Sequence, residues 1–472
     1  MAFEELPDSY PSQFYFNVSR LAGAYSKSLV KVVADNQNST PNGITTIRIP
    51  IGVLLNTESL NLYFDVATTG TNAVIPPRYS STFISRMSVS INNVSTTIIN
   101  DYNLVYNTLN DLTNKNYTKG IAGEFLDPTI IWGEGAGASS DVALTGASAL
   151  LASTANGTYK MCINNFMGLL GSCSTKVWPT SKMGEILINI QWANADILCG
   201  TGEASATTYN DNSYSISNIA MTMEAYSFSS DEYYNGIEGQ NLRISYDDYI
   251  VTKFAPVQKK TGINVTTYLS ANSLDWVCAT AIQESTAPRK MVGYGSLGTG
   301  ATESVVANRF TYLADPRGKI GNSSATSSEN VEGDGFFNTK SMQRNLQHIA
   351  NCTFSINNRQ LNFGSLSPLE IFQNNLLALG YENNDKSANG FHEGCVSLYH
   401  FWKYYGICMQ SLELIDKDTY YISGLSSAGS SCSVNVKIDF SGASNTLSVT
   451  PVVIAKVTKL LTVGAGRSIT IE

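Results

Sequence analysis

The chain has 472 residues, only 14 % of them charged, and a formal net charge of −8. No basic run exceeds Lys259-Lys260 or Arg289-Lys290. The positive footprint that releases phosphate counterions is therefore missing, and direct sequence-specific nucleic-acid binding is not expected.

A chain this long divides into two domains of about 200 residues each. Asn, Ser, Thr, Gly and Tyr are abundant while Lys and Glu are scarce, a balance that favours strands and turns over helices. The opening Met-Ala-Phe-Glu-Glu-Leu-Pro-Asp has neither the basic nor the apolar stretch of a secretion signal, and no apolar run approaches the roughly 20 residues of a membrane helix. The eight cysteines follow no Cys-x-x-Cys spacing and read as reduced, buried small hydrophobes of an intracellular product.

In chain order, residues 1–40 read as an N-terminal arm, peripheral enough that a chain lacking them keeps its folded body. Period-two alternation then dominates. Ile47, Ile49 and Ile51 alternate with polar neighbours or proline, as do Leu60, Leu62, Phe64 and Val66, and then Met87, Val89 and Ile91. An Asn92-Asn93 turn follows, then a helix predicted over 102–112. Residues 134–157 are a long Gly/Ala/Ser/Thr-rich loop. Ile186, Ile188, Ile190 and Trp192 form one face of the next strand, and Ile219, Met221, Met223 and Ala225 that of another. Successive strand side chains point to opposite faces, so each run is half buried, as in a two-sheet sandwich.

Residues 230–245 have linker chemistry and divide the chain into 41–229 and 246–472. The second part repeats the first. Ser355-Ile-Asn-Asn358 matches Ser90-Ile-Asn-Asn93, 265 positions earlier, and a helix is predicted over 369–379. Cys432, Val434, Val436, Ile438 and Phe440 alternate as Ile186–Trp192 do, and 446–463 supplies one or two closing strands. A strand, an Asn-Asn turn, a second strand and a helix, present twice, indicate two copies of one β-domain.

These segments, with Asp101-Tyr-Asn-Leu-Val-Tyr106, Tyr214-Ser-Ile-Ser-Asn-Ile219 and Tyr420-Tyr-Ile-Ser-Gly-Leu-Ser-Ser-Ala-Gly429, resemble the double jelly-roll major capsid proteins of adenovirus, tailless membrane-containing phages, large DNA viruses and virophages. The resemblance runs from about residue 40 to the end. It implies an all-β fold of two consecutive eight-stranded antiparallel jelly rolls with short helices and long surface loops. It also implies a homotrimer with a pseudo-hexagonal outline that tiles an icosahedral shell, located in the virion capsid and assembled inside the host cell. Neighbouring capsomers, penton and minor capsid proteins are the implied partners, with the 1–40 arm at the inner face against a membrane, a minor protein or a neighbour. Loops 118–157 and 284–340 are the implied towers or inter-subunit contacts. The alternative reading is a β-sandwich viral adhesin or fibre protein that binds a host glycan; a sandwich-fold carbohydrate-active enzyme lacks a credible acid/base pair.

No catalytic, cofactor or metal residue is assigned. Gly293-Tyr-Gly-Ser-Leu-Gly298 has the dinucleotide spacing but no following helix. His392, Cys395 and His400 sit among Tyr399, Phe401, Trp402 and Tyr404, which reads as packed aromatic core or interface. No Gly-x-Ser-x-Gly elbow exists. Asp231-Glu232 and Asp247-Asp248 are sequence neighbours whose side chains point apart on a strand, and Glu329, Glu332 and Asp334 fail calcium-loop spacing. Eight Asn-x-Ser/Thr sequons, at Asn17, 38, 93, 116, 156, 264, 322 and 351, follow from composition and are expected to be unmodified. The 25 tyrosines suit broad subunit contacts, since each brings apolar area with a hydroxyl to satisfy.

Overall fold

A computed structural model describes residues 25–70, 74–75, 80–113, 158–200, 213–228, 241–258, 262–283, 349–361, 364–379, 407–413, 422–427, 432–440 and 448–472. The principal strands of the first half are β1 (Tyr25–Val33), β2 (Ile44–Ile49), β3 (Leu54–Thr69), β4 (Ile84–Ile91), β5 (Val94–Asn100), β6 (Thr158–Ile163), β7 (Ile186–Trp192) and β8 (Ser213–Phe228). Those of the second half are β9 (Leu242–Lys253), β10 (Ile263–Leu269), β11 (Leu274–Gln283), β12 (Ile349–Ile356), β13 (Arg359–Gln360), β14 (Cys408–Ser411), β15 (Cys432–Phe440) and β16 (Ser448–Val463). Helix α1 (Tyr102–Thr113) follows β5, and α2 (Pro368–Ala378) follows β13.

The sheet order is β1-β8-β3-β6 facing β2-β7-β4-β5 in the first half, and β9-β16-β11-β14 facing β10-β15-β12-β13 in the second. Every pairing is antiparallel. Strand n of the first half and strand n + 8 of the second occupy the same place, so the fold is two eight-stranded jelly rolls. Shorter strands extend this frame: Val177–Pro179 joins β3, while Val257–Gln258 and Ile469–Ile471 join β16.

The alternating sequence explains each sandwich. Ile186, Ile188, Ile190 and Trp192 are fully buried on one face of β7, and Val434, Val436 and Ile438 do the same on β15. Burial of each side chain contributes about 1.5–3 kcal/mol. In the first core Trp192 stacks at a tilt on Phe64, with ring centroids 5.1 Å apart, and its indole N–H donates to Thr45 Oγ1 at 2.8 Å. Phe83 meets Tyr214 edge-on at 5.1 Å.

The repeated tetrad is the β4–β5 and β12–β13 hairpin. Ile91 pairs with Val94 and Ile356 with Arg359, leaving two loop residues in each. All four loop asparagines have positive φ: 49° and 65° at Asn92 and Asn93, 49° and 62° at Asn357 and Asn358. Positive φ at both loop positions matches the right-handed strand twist, and Asn tolerates it better than most residues. Backbone N–H groups of Asn92 and Asn357 donate to the carbonyls of Glu185 and Ser433 respectively, the same bond in both rolls.

Both helices are anchored by asparagine amides. Asn107 donates to Thr82 Oγ1 at 3.1 Å, and Asn375 donates to the Ile407 carbonyl at 2.7 Å while accepting from Met409 N–H at 2.7 Å. Glu370, in the first turn of α2, accepts from Ser367 Oγ at 2.6 Å and Ser367 N–H at 2.7 Å, and these bonds, the hydroxyl's foremost, hold its carboxyl below the usual range.

Two expected boundaries change. Tyr25–Val33 pairs with β8 along its whole length, so the arm expected over 1–40 gives up its last sixteen residues to the first roll and its lead into β2. The signal is weak because β1 places serines, Ser26 and Ser28, beside Val30 and Val32 on the core-facing side and leaves Leu29 72 % exposed on the other. The linker expected over 230–245 likewise ends before Leu242, where β9 starts.

A chain truncated before residue 41 is thus expected to lose the first roll, seen as a missing or strongly lowered thermal transition; an unchanged melting profile would show β1 to be dispensable. Asn358→Val places a β-branched residue at positive φ and is expected to cost about 1–3 kcal/mol in urea unfolding, whereas Asn358→Gly should be close to neutral. Equal stabilities of the two variants would refute the turn assignment.

Candidate functional site: the contact between the two rolls

The structure brings together no catalytic constellation from the motifs weighed above. Gly293–Gly298, His392, Cys395, His400, Asp231, Glu232, Glu329, Glu332 and Asp334 lie outside the described residues, as do the loops 118–157 and 284–340. Among the described residues no group of three His, Cys, Asp or Glu side chains is placed to hold a metal ion.

Asp247 and Asp248 lie on β9, and their side chains do point to opposite faces. Asp248 pairs with Lys459 at 2.6 Å on one face, and Asp247 with Lys456 at 3.3 Å on the other. Lys456 also approaches the buried Asp275 at 3.6 Å. Asp275 accepts from Ser273 Oγ and Thr458 Oγ1, both at 2.7 Å. Burial opposes the charge on Lys456, but Asp247, Asp275 and Glu413 outweigh it and raise its pKa. Burial in turn pushes Asp247 up, with the Asp275 charge adding to it against Lys456, and burial raises Asp248 as well against Lys459. Gly424, inside the Tyr420–Gly429 segment, closes this cluster: a Cβ there would lie 2.2 Å from Ser273 Oγ. Five charges, Lys459 with Asp248 on one face and Lys456 with Asp247 and Asp275 on the other, each carboxylate held by a lysine, amount to a structural tie.

A set of specific contacts outside the two cores joins roll to roll. The outer edge of β9 meets the segment 172–174 of the first roll, just before the short strand Val177–Pro179. Ser174 N–H donates to the Ser245 carbonyl at 2.8 Å, and Ser245 N–H donates to Ser174 Oγ at 3.0 Å. Asp247 N–H donates to Ser172 Oγ at 2.8 Å. Tyr246 is buried and donates its hydroxyl to the Thr96 carbonyl on β5 at 2.6 Å. Burial, with the Asp248 carboxylate nearby, raises its phenol well above the ordinary value and keeps that donor protonated. Lys253 reaches Asp101 at 2.5 Å.

The C-terminal residues make a second contact. After β16 the chain turns through Gly466 and Arg467, with φ of 66° and 61°. Arg467 donates from Nε to the Ser181 carbonyl at 3.1 Å and accepts at its own carbonyl from the Asn92 amide at 3.1 Å. Gly184 permits this approach, since a Cβ there would sit 3.3 Å from Asn92 Oδ1 and 3.4 Å from Arg467 Cδ. The duplicated Asn-Asn turn is legible in the sequence; its use as an inter-roll clasp is not.

Solved structures share the overall fold. A chain of the PBCV-1 virus capsid superposes with a TM-score of 0.57 at 10 % identity, covering 97 % of this chain and 99 % of that one. A chain of the Sputnik virophage gives 0.54 at 11 % identity, covering 100 % and 92 %. The mavirus major capsid protein gives 0.50 at 9 % identity, covering 100 % and 95 %. The fold is that of the double jelly-roll capsid proteins. No protein-family model matches the sequence, and no curated protein does. The likeness therefore lies in the fold itself, the double jelly roll.

Removing Lys456 should expose the cost of the buried acids. Lys456→Met is expected to destabilise the chain by about 3–5 kcal/mol in denaturant unfolding, as for a buried pair that loses one partner. Because the fold raises the pKa of Lys456, its contribution is complete below the ordinary lysine value of about 10.4 and is lost as pH rises through the higher folded value. A loss under about 1 kcal/mol at neutral pH would show that the acids are held by Ser273 and Thr458 alone.

Proposed function

We propose that this chain is a structural capsid protein, without enzymatic turnover, whose copies form trimers that tile an icosahedral shell. The observation that carries the reading is the duplication: two equivalent rolls joined side by side by backbone and side-chain contacts, in a fold shared over nearly the whole chain with proteins of the PBCV-1 virus capsid, the Sputnik virophage and mavirus. Three copies around a three-fold axis would present six similar lobes, an outline suited to a lattice of local six-fold symmetry. The work done is burial of complementary surface between copies. On this reading the chain resides in the virion capsid, and its partners are neighbouring capsomers, penton and minor capsid proteins; residues 1–24 are the part of the expected arm that remains to contact the inner face.

Light scattering of the purified chain is expected to give about three times its 51.0 kDa mass, and negative-stain microscopy to show six-lobed blocks, edge-to-edge arrays or closed particles. A stable single chain at high concentration would sink the trimer.

A further inference from the structure

The first strand of each roll occupies the same outer edge, β1 in β1-β8-β3-β6 and β9 in β9-β16-β11-β14. Sheet pairing satisfies one side of such a strand and leaves the other as a row of unpaired N–H and C=O groups. In β9 that row is covered from within the chain by Ser172 and Ser174 beside the strand, while Tyr246 of β9 reaches across with its hydroxyl to the Thr96 carbonyl of β5. In β1 the same side has no partner strand among the described residues. Ala34 N–H donates to the Ile219 carbonyl, which fixes the alternation: Val32 and Val30 bond to β8, while Val33, Lys31 and Leu29 turn their N–H and C=O outward. Leu29 is 72 % and Val33 46 % exposed.

The second roll carries the counterpart of the strand that lies against β9. In the first roll the strand lying against β9 is β5, the edge of the second sheet, which accepts the Tyr246 hydroxyl; its equivalent is β13, which is also an edge. Arg359 and Gln360 are exposed, with the apolar Leu361 beside them at 37 %. Leu361 N–H donates to the Phe354 carbonyl, so Gln360 is the residue that turns its backbone groups outward.

We infer that the open edge of β1 receives the second roll of another copy of this chain, with the β13 edge around Gln360 seated at β1 around Leu29. The proposal rests on the capsid reading and adds the surfaces used. The contact made once inside the chain, first roll to second, is made again between chains, second roll to first. It joins two different surfaces, so each copy keeps one of each for the next, and the series ends only when it closes into a ring.

The deciding experiment is cross-linking of the full chain carrying Leu29→Cys and Gln360→Cys with a short bis-maleimide, the unsubstituted chain giving the background from native cysteines. The double variant should yield covalent two-chain and three-chain species, and each single variant only uncoupled chains. Leu29→Pro removes one outward donor at a strand edge, where proline is tolerated. It should keep the far-ultraviolet spectrum of the parent while its trimer falls apart to single chains. Trimers that give no cross-linked chains overturn the proposal and leave the capsid reading standing; they assign the β1 edge to another occupant, the residues preceding Tyr25 included. A parent chain that never leaves the monomer overturns both.

Discussion

An open β-sheet ends in a row of unpaired backbone groups, and each such group buried without a partner costs about 1–3 kcal/mol. That constraint organises this molecule. Each roll has an edge at β1 or β9 and another at β5 or β13, and a chain of two rolls can cover only some of these by itself. It covers β9, with two serine hydroxyls and one backbone bond from the segment 172–174. Serine suits the task because its hydroxyl both donates and accepts, so Ser172 Oγ can serve an N–H without requiring a full strand alongside. The side-by-side placement of the rolls follows from that covering, and Tyr246, within the covered stretch, and Lys253, at the end of β9, then fasten it.

The buried charges answer a related problem. β9 and β16 are long and apolar on both faces in their lower halves, so hydrophobic patterning alone discriminates poorly against a one-residue slip. The two lysines of β16 remove that freedom. Lys459 finds Asp248 on one face and Lys456 finds Asp247 and Asp275 on the other. A slip of one residue would turn every side chain to the opposite face, leaving each ammonium among apolar neighbours and each carboxylate unpaired. Penalties of several kcal/mol per stranded charge make the observed register the only tolerable one.

How much of this the sequence discloses depends on whether the physics is periodic. β7 and β15 are readable because every second residue is buried, and their equivalence as the same strand of two rolls follows from the same alternation. The Asn-Asn hairpins and the helices after them are readable because positive φ at two successive positions narrows the choice of residue. β1 escapes because Leu29 faces out while serines share the inner face, which inverts the usual signal. The inter-roll contact escapes for a different reason: Ser172, Ser174, Thr96, Ser181 and Arg467 contribute mainly backbone atoms or single hydroxyls, which leave no pattern. The Lys456 cluster lies between these cases, since two lysines inside Val-Ile-Ala-Lys-Val-Thr-Lys-Leu-Leu demand buried partners, yet only the folded chain shows Asp275 to be one of them.

The duplicated turn shows where two copies of a domain become one body. Asn92 and Asn357 have the same backbone angles and the same backbone bond to the chain just before or at the start of the following core strand. Their side chains diverge. Asn357 accepts from Ser433 N–H at 2.9 Å and stays within its own roll. Asn92 donates to the carbonyl of Arg467, across to the other roll. The fold of the turn needs neither bond, because the Ile-Asn-Asn register and positive φ are met in both rolls. The amide was thus available for a second use wherever something came within reach. What came within reach was the C-terminal turn, held at 466–467 by two successive positive-φ residues and admitted by the missing Cβ of Gly184. An element that closes a hairpin in both rolls becomes a clasp between rolls through the direction of one side chain, while in the second roll the Asn357 side-chain oxygen is used within its own roll by Ser433.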